Sequence, residues 1–190
     1  MSKSMPTAAS AGFTITELAI VMSVIAILAA IGIPSYKYVT TSNRIAGEIN
    51  GLLGDMQFAR SEAVKEGQSV TVCASSTPYT QCTGSPAGSA WQNGWIVFLD
   101  ANGDKIVQAG EAILRVQPAF SGTDTFVAST NTFSAITYNR MGYAPTGSAI
   151  NLTINLHDST NTSAWTRCMQ ITPIGTPTTE IFGAGTPPCP

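Results

Sequence analysis

The sequence predicts an α+β protein: one long N-terminal helix, with a membrane half and an amphipathic half, packed on an antiparallel β domain. Three observations carry this. Residues 13–33 are an apolar run in which Glu17 is the only ionisable side chain. Residues 45–63 repeat apolar side chains at helical spacing. From Ser69 the period falls to two, in short apolar stretches punctuated by Gly, Ser, Thr and Asn.

The apolar run comes first. Its 21 residues rise about 1.5 Å each as helix, about 31 Å in all, which matches one bilayer core. A secretory signal places its cleavage site after the apolar run. Here the candidate site, Gly12/Phe13, precedes it, so cleavage leaves the span on the mature chain. The stub 1–12 carries one Lys and favours a cytoplasmic N-terminus. A carboxylate at membrane depth costs about 2.5 to 3.5 kcal/mol on insertion scales and needs a partner. The new α-amino group of Phe13 supplies one, within the chain or from a neighbouring subunit, which would make Glu17 a register device. The plainer reading sets Glu17 at headgroup level, where a carboxylate suits a helix start.

Pro34 removes a donor to the Ala30 carbonyl and disfavours helix at Ile33, so a kink or loosening is expected there. Helical spacing then resumes over residues 34–67. Ile45, Ile49, Leu52, Leu53, Met56, Ala59 and Ala63 form one stripe, and Asn43, Glu48, Asp55, Gln57 and Glu62 are assigned to the opposite face. Gly67 is the expected C-cap. Gly47, Gly51 and Gly54 weaken the helix by up to about 1 kcal/mol each, and the stripe does not account for them.

The β domain spans residues 68–190. Val70, Val72 and Ala74 alternate with Ser69, Thr71 and Cys73, as in a strand with one buried face. Residues 75–90 read as a loop. Strands are expected at Trp95–Leu99, Glu111–Val116, Phe133–Tyr138, Ala149–Leu156 and Arg167–Ile171, with a turn at Asp100–Asp104. The tail, Thr172–Pro190, is rich in Pro, Gly and Thr and reads as loop.

Cys73, Cys82, Cys168 and Cys189 permit three pairings, and their spacings are not those of zinc sites. In an oxidising compartment the local pairs Cys73–Cys82 and Cys168–Cys189 are the simplest. Charged residues make up 11% of the chain, and loss of residues 1–12 leaves 8 basic against 11 acidic side chains. That argues against a broad nucleic-acid surface.

The segment from Gly12, GFTITEL followed by the apolar run and Pro34, resembles the class III signal of type IV prepilins and type II secretion pseudopilins. Phe58–Gly67, Val72–Ser75, Trp91–Asp104, Glu111–Val116 and Arg167–Gly175 resemble the FimT/FimU–GspH group of minor pilins and pseudopilins. The likeness is weak over 121–165. It implies a type IV pilin-like fold, a leader at 1–12 cut by a prepilin peptidase after Gly12, N-methylation of Phe13, and Glu17 guiding assembly with other pilins through the helix. It also implies insertion in the inner membrane with the β domain outside the cytoplasm, then an extracellular pilus or a periplasmic pseudopilus. The disulfide-closed C-terminal loop would be a surface that contacts neighbours or ligands, or simply a stabilising device.

Three function classes follow: a minor pilin acting near the fibre tip, a type II secretion pseudopilin, or a DNA-binding minor pilin for transformation. The third expects basic residues in the tail, where this chain has Thr176 and Thr178; phosphate contacts would fall to Arg140, Arg167 or scattered lysines. No catalytic constellation is read: His157 is the sole histidine and no G-x-S-x-G occurs. Asp100, Asn102, Asp104 and Glu111 match positions 1, 3, 5 and 12 of a calcium loop, but Lys105 stands at the glycine position and a plain turn is favoured. No metal or cofactor is expected. Among the aromatics Trp91, Trp95, Phe98, Tyr138, Tyr143 and Trp165, Trp95 and Phe98 are assigned to the core.

Overall fold

The computed structural model describes residues 12–83, 90–128, 133–144, 152–172, 174–183 and 189. Residues 1–11 of the expected leader lie outside that set, as do 84–89 of the 75–90 loop, 149–151 of an expected strand, and Pro173, 184–188 and Pro190 of the tail. The chain forms two compact units, Met1–Thr40 and Thr41–Pro190.

Helix α1 spans Ile15–Glu66 and contains Pro34. The helix is continuous through that residue, so the expected loosening does not interrupt it. Its start is capped by Thr14: the Glu17 amide donates to Thr14 Oγ1 (3.2 Å) and the Leu18 amide to the Thr14 carbonyl (3.1 Å). Its end is a left-handed Gly67, φ 66°, as the C-cap rule expects.

In the second unit α1 buries Ile45, Ile49, Leu52, Met56, Ala59 and Ala63, with Leu53 partly buried beside them. Eight strands follow: β1 (Val70–Ala74), β2 (Gly94–Leu99), β3 (Ile113–Pro118), β4 (Thr125–Ala128), β5 (Ala135–Tyr138), β6 (Leu152–His157), β7 (Arg167–Ile171) and β8 (Pro177–Ile181). They form two four-stranded antiparallel sheets, ordered β3-β2-β1-β5 and β4-β6-β7-β8. One core joins the helix stripe to both sheets through Val70, Val72, Trp95, Val97, Phe126, Ile154, Leu156 and Met169, among others. Trp91 and Tyr138 belong to it, Trp165 packs against it, and Tyr143 stays exposed.

Several expectations are corrected. Strand β1 is buried along its whole length, not on one face. Its second face carries Cys73, which packs with Ile96, Phe98 and Ala135 beneath Tyr79, Cys82, Val107 and Ile113. Thr71 on that face is satisfied by Asp100 Oδ2 and Thr137 Oγ1, each at 2.6 Å. Strand β3 starts at Ile113 because Glu111 serves the preceding loop, accepting from the Ala101 and Gln108 amides. The neighbouring strands shift by one to three residues, and β4 lies in a stretch where no strand was expected. The tail is not all loop, since β8 pairs with β7 from Pro177 to Ile181.

Glu48, Asp55 and Glu62 do not sit opposite the stripe; all three are partly buried. At about 100° per residue they fall on the flank of the stripe, with Arg44 and Gly51. Asp55 accepts from Trp95 Nε1 (2.8 Å) and from Arg115 Nη1 (2.8 Å), and the Arg115 guanidinium stacks on Phe58 at 3.7 Å.

Candidate functional site

The first unit presents an uncovered apolar helix. The most hydropathic 18-residue window of α1 has a mean hydropathy of 2.4 and none of it is buried, so the helix is long and apolar enough to cross a membrane. Phe13 is 82% exposed and Ile15, Leu18, Ile20, Ile27 and Ile31 are likewise open. Soluble monomers rarely leave so long an apolar surface uncovered. Within the apolar run Ser23 donates to the Ile20 carbonyl (2.7 Å), which satisfies its hydroxyl inside the helix. Gly12, Phe13 and Glu17 stand together at the exposed start of this helix.

At the other end of the chain the sulfurs of Cys73 and Cys82, and of Cys168 and Cys189, are bonded, with Cα–Cα distances of 5.5 and 5.7 Å. The second bridge closes a loop behind β8, where the Gly183 amide donates to the Cys189 carbonyl. Ile181 and Phe182 of this loop are exposed beside Arg167, which donates to the Thr166 and Ala164 carbonyls. Tyr138 Oη donates to the Gly175 carbonyl (2.9 Å) where φ is 84°. A Cβ at Gly175 would meet that of Ala144 at 2.5 Å, so only glycine fits.

The two arginines considered for phosphate do not converge. Arg167 lines a hollow with Ala46, Ile49 and Asn50. Arg140 is exposed in the turn 139–142, and a Cβ at Gly142 of that turn would meet Arg60 and Val64. These stations on α1 are about 14 residues, or about 21 Å, apart. Thr178 is exposed on β8, while Thr176 closes the β7–β8 turn through Thr172.

The Asp100–Glu111 segment is held as a turn. Asp100 Oδ1 accepts from the Gly103 and Asp104 amides, and its Oδ2 from Thr71 Oγ1 and the Lys105 amide. With Glu111 also bonded to amides, these carboxylates face the backbone. His157 lies 3.1 Å from Thr166 Oγ1, and burial lowers its pKa.

A cluster invisible in the sequence lies on the α1 flank. Arg44 grips Asp124 with both arms, Nε–Oδ2 and Nη2–Oδ1 at 2.7 Å each, and the Asp124 side chain is fully buried. Glu48 sits against Asp124 and, when protonated, hydrogen-bonds to the Asp124 carboxylate. Burial first, and the Asp124 carboxylate second, push its pKa up to about 7, with Arg44 pulling the other way. Beside them opens a hollow of about 470 Å³ lined by Gly47, Gly51, Trp95 and Phe120 among others. The spacing of Arg44, Glu48, Gly51 and Asp55 at i, i+4, i+7 and i+11 was the available signal; the partner 80 residues on was not.

A long N-terminal helix with an open apolar half, followed by a half that packs on antiparallel sheets, defines the pilin class of protein. The chain belongs within that class to the family described as Type II transport protein GspH, which matches residues 48–175. Two crystal structures of the type IV minor pilin FimU from Pseudomonas aeruginosa share the fold. One is 19% identical, with a TM-score of 0.54 over 78% of this chain and 93% of that one. The other, in a second crystal form, is 21% identical, with a TM-score of 0.50 over 69% of this chain and 88% of that one. Comparison with curated proteins gives no match.

Proposed function

We propose that this chain is a structural subunit of a type IV pilus: a minor pilin held in the inner membrane, cut after Gly12 by a prepilin peptidase, methylated on Phe13, and built into the fibre near its tip. The observation that carries the reading is the uncovered apolar helix that begins at Ile15, directly after Gly12 and Phe13 and with Glu17 in its first turn. Such a surface needs lipid before assembly and neighbouring helices afterwards. Glu17 sets register by neutralising the α-amino group of Phe13, its own or a neighbour's. The fold shared with FimU supports a pilin role.

A second reading is favoured by the family description, a type II transport protein. In it the same subunit works in a periplasmic pseudopilus that contacts exported proteins. Quantitative mass spectrometry of sheared surface fibres from the native host separates the two. A low, definite ratio to the most abundant pilin, with Phe13 as N-terminus, supports the minor pilin. Processed protein retained in the membrane fraction and absent from fibres supports the pseudopilus.

A further inference from the structure

We propose that the hollow beside Arg44, Glu48 and Asp124 is a socket for a lysine or arginine side chain carried by a neighbouring subunit. Only the source of that side chain rests on the assembly reading; the socket rests on geometry and charge.

The charge count is uneven. Arg44 is the one cation facing two carboxylates, and its Nε and Nη2 are committed to Asp124. Glu48 shares a carboxyl–carboxylate hydrogen bond with Asp124, which needs a proton between them, and feels Arg44 only as the cation already paired to Asp124. Once that proton is lost, two carboxylates face one guanidinium, and the Glu48 Oε2 has no hydrogen-bond partner among the described residues. The other walls, Trp95 and residues 117–121, bring no charged group. A buried carboxylate oxygen without a donor is a rare and unfavourable arrangement, and an ammonium or guanidinium removes it.

The shape agrees with such an occupant. The hollow is open to solvent along the helix because two of its floor residues are glycines. An ideal Cβ on Gly47 meets nothing within 4 Å, and one on Gly51 first meets Trp95 Cζ2 at 4.0 Å. Any larger residue at either position would project into the space. That accounts for two of the three helix-weakening glycines that the core stripe leaves unexplained. The partly exposed ring of Phe120, packed edge-on against the buried Trp95 with centroids 5.9 Å apart, gives an apolar wall. The methylene stem of a lysine or arginine can lie there while its head reaches Glu48. An anionic or wholly apolar occupant would leave Glu48 unpaired.

The test uses the full-length ¹⁵N-labelled chain in detergent micelles, titrated with n-butylammonium and with butylguanidinium, and with n-butanol as the uncharged stem. The expected result is saturable shifts of the Trp95 indole and of the Gly47 and Gly51 amides with both cations, stronger at pH 8 than at pH 6, and weaker by at least about tenfold with butanol. Glu48→Gln should weaken cation binding by a similar factor. Gly47→Leu, which fills the hollow without touching the charges, should abolish it. No saturable shift at pH 8, equal binding by Glu48→Gln, or equal binding of butanol would each overturn the socket. Failure of the assembly reading shows elsewhere: it is the absence of the chain from any fibre, which leaves the titration unchanged.

Discussion

Asp55 offers a sharp test of how the helix is fastened to the first sheet. Its Oδ2 accepts the Trp95 indole N–H at 2.8 Å, and Trp95 is 1% exposed. Its Oδ1 pairs with Arg115, whose side chain is 47% exposed. Asp55→Ala removes both. An unsatisfied buried donor costs about 1–3 kcal/mol, and a half-exposed ion pair contributes about 0–1 kcal/mol. The expected loss is therefore about 2.5 kcal/mol, or about 5–10 °C in Tm for a unit of this size. Asp55→Asn keeps a carbonyl acceptor for the indole and gives up only the charge, so it should lose under about 1 kcal/mol, at most about 4 °C. Thermal unfolding of the full chain in detergent, followed by tryptophan fluorescence, reads both. Equal losses in the two variants would refute the argument, because the indole bond would then contribute nothing.

Removing the second bridge by Cys168→Ala with Cys189→Ala should cost about 3 kcal/mol, from a sequence separation of 21, and lower Tm by about 6–12 °C in calorimetry. Glu48 makes stability depend on pH. Its folded pKa is raised to about 7 from 4.5, so the folded state binds the proton more tightly, and stability is fullest below about pH 4.5 and falls as pH rises through 7. Melting curves should show a steeper fall with pH for wild type than for Glu48→Gln; the difference isolates Glu48 from His157, whose lowered pKa acts with the opposite sign. Glu17→Ala should leave leader cleavage unchanged, by immunoblot of the processed form. It should reduce recovery in fibres by about three- to thirtyfold, the worth of a polar contact between helices in lipid.

Elements whose stability is local were legible in the sequence. The apolar run, the 3.6-residue stripe and Gly67 each state their structure within a few residues, and α1 follows them from Ile15 to Glu66. Strand β1 was legible from alternation and β2 from a short continuous apolar run, both rich in β-branched residues. Strand β4 was not, since Thr125–Ala128 is short and takes its register from β6, about 30 residues on. Strand β8 was hidden for a related reason. Pro, Gly and Thr read as loop, yet Pro177–Ile181 pairs along β7 and the Cys168–Cys189 bridge holds the chain behind it.

The flank of α1 shows why a helical wheel finds a core sooner than a site. Sorting residues into an apolar and a polar face sends Glu48 and Asp55 to solvent, because both are charged. Their burial is decided by what arrives from elsewhere: Trp95 and Arg115 for Asp55, and Asp124, clamped by Arg44, for Glu48. A charged residue between the two faces can be buried only if a distant partner satisfies it. Asp55 is fully matched in this way and reads as a structural pin. Glu48 is matched in part, beside glycines that leave room for more, and a partly satisfied carboxylate on an open hollow is the mark of an interaction still to be made.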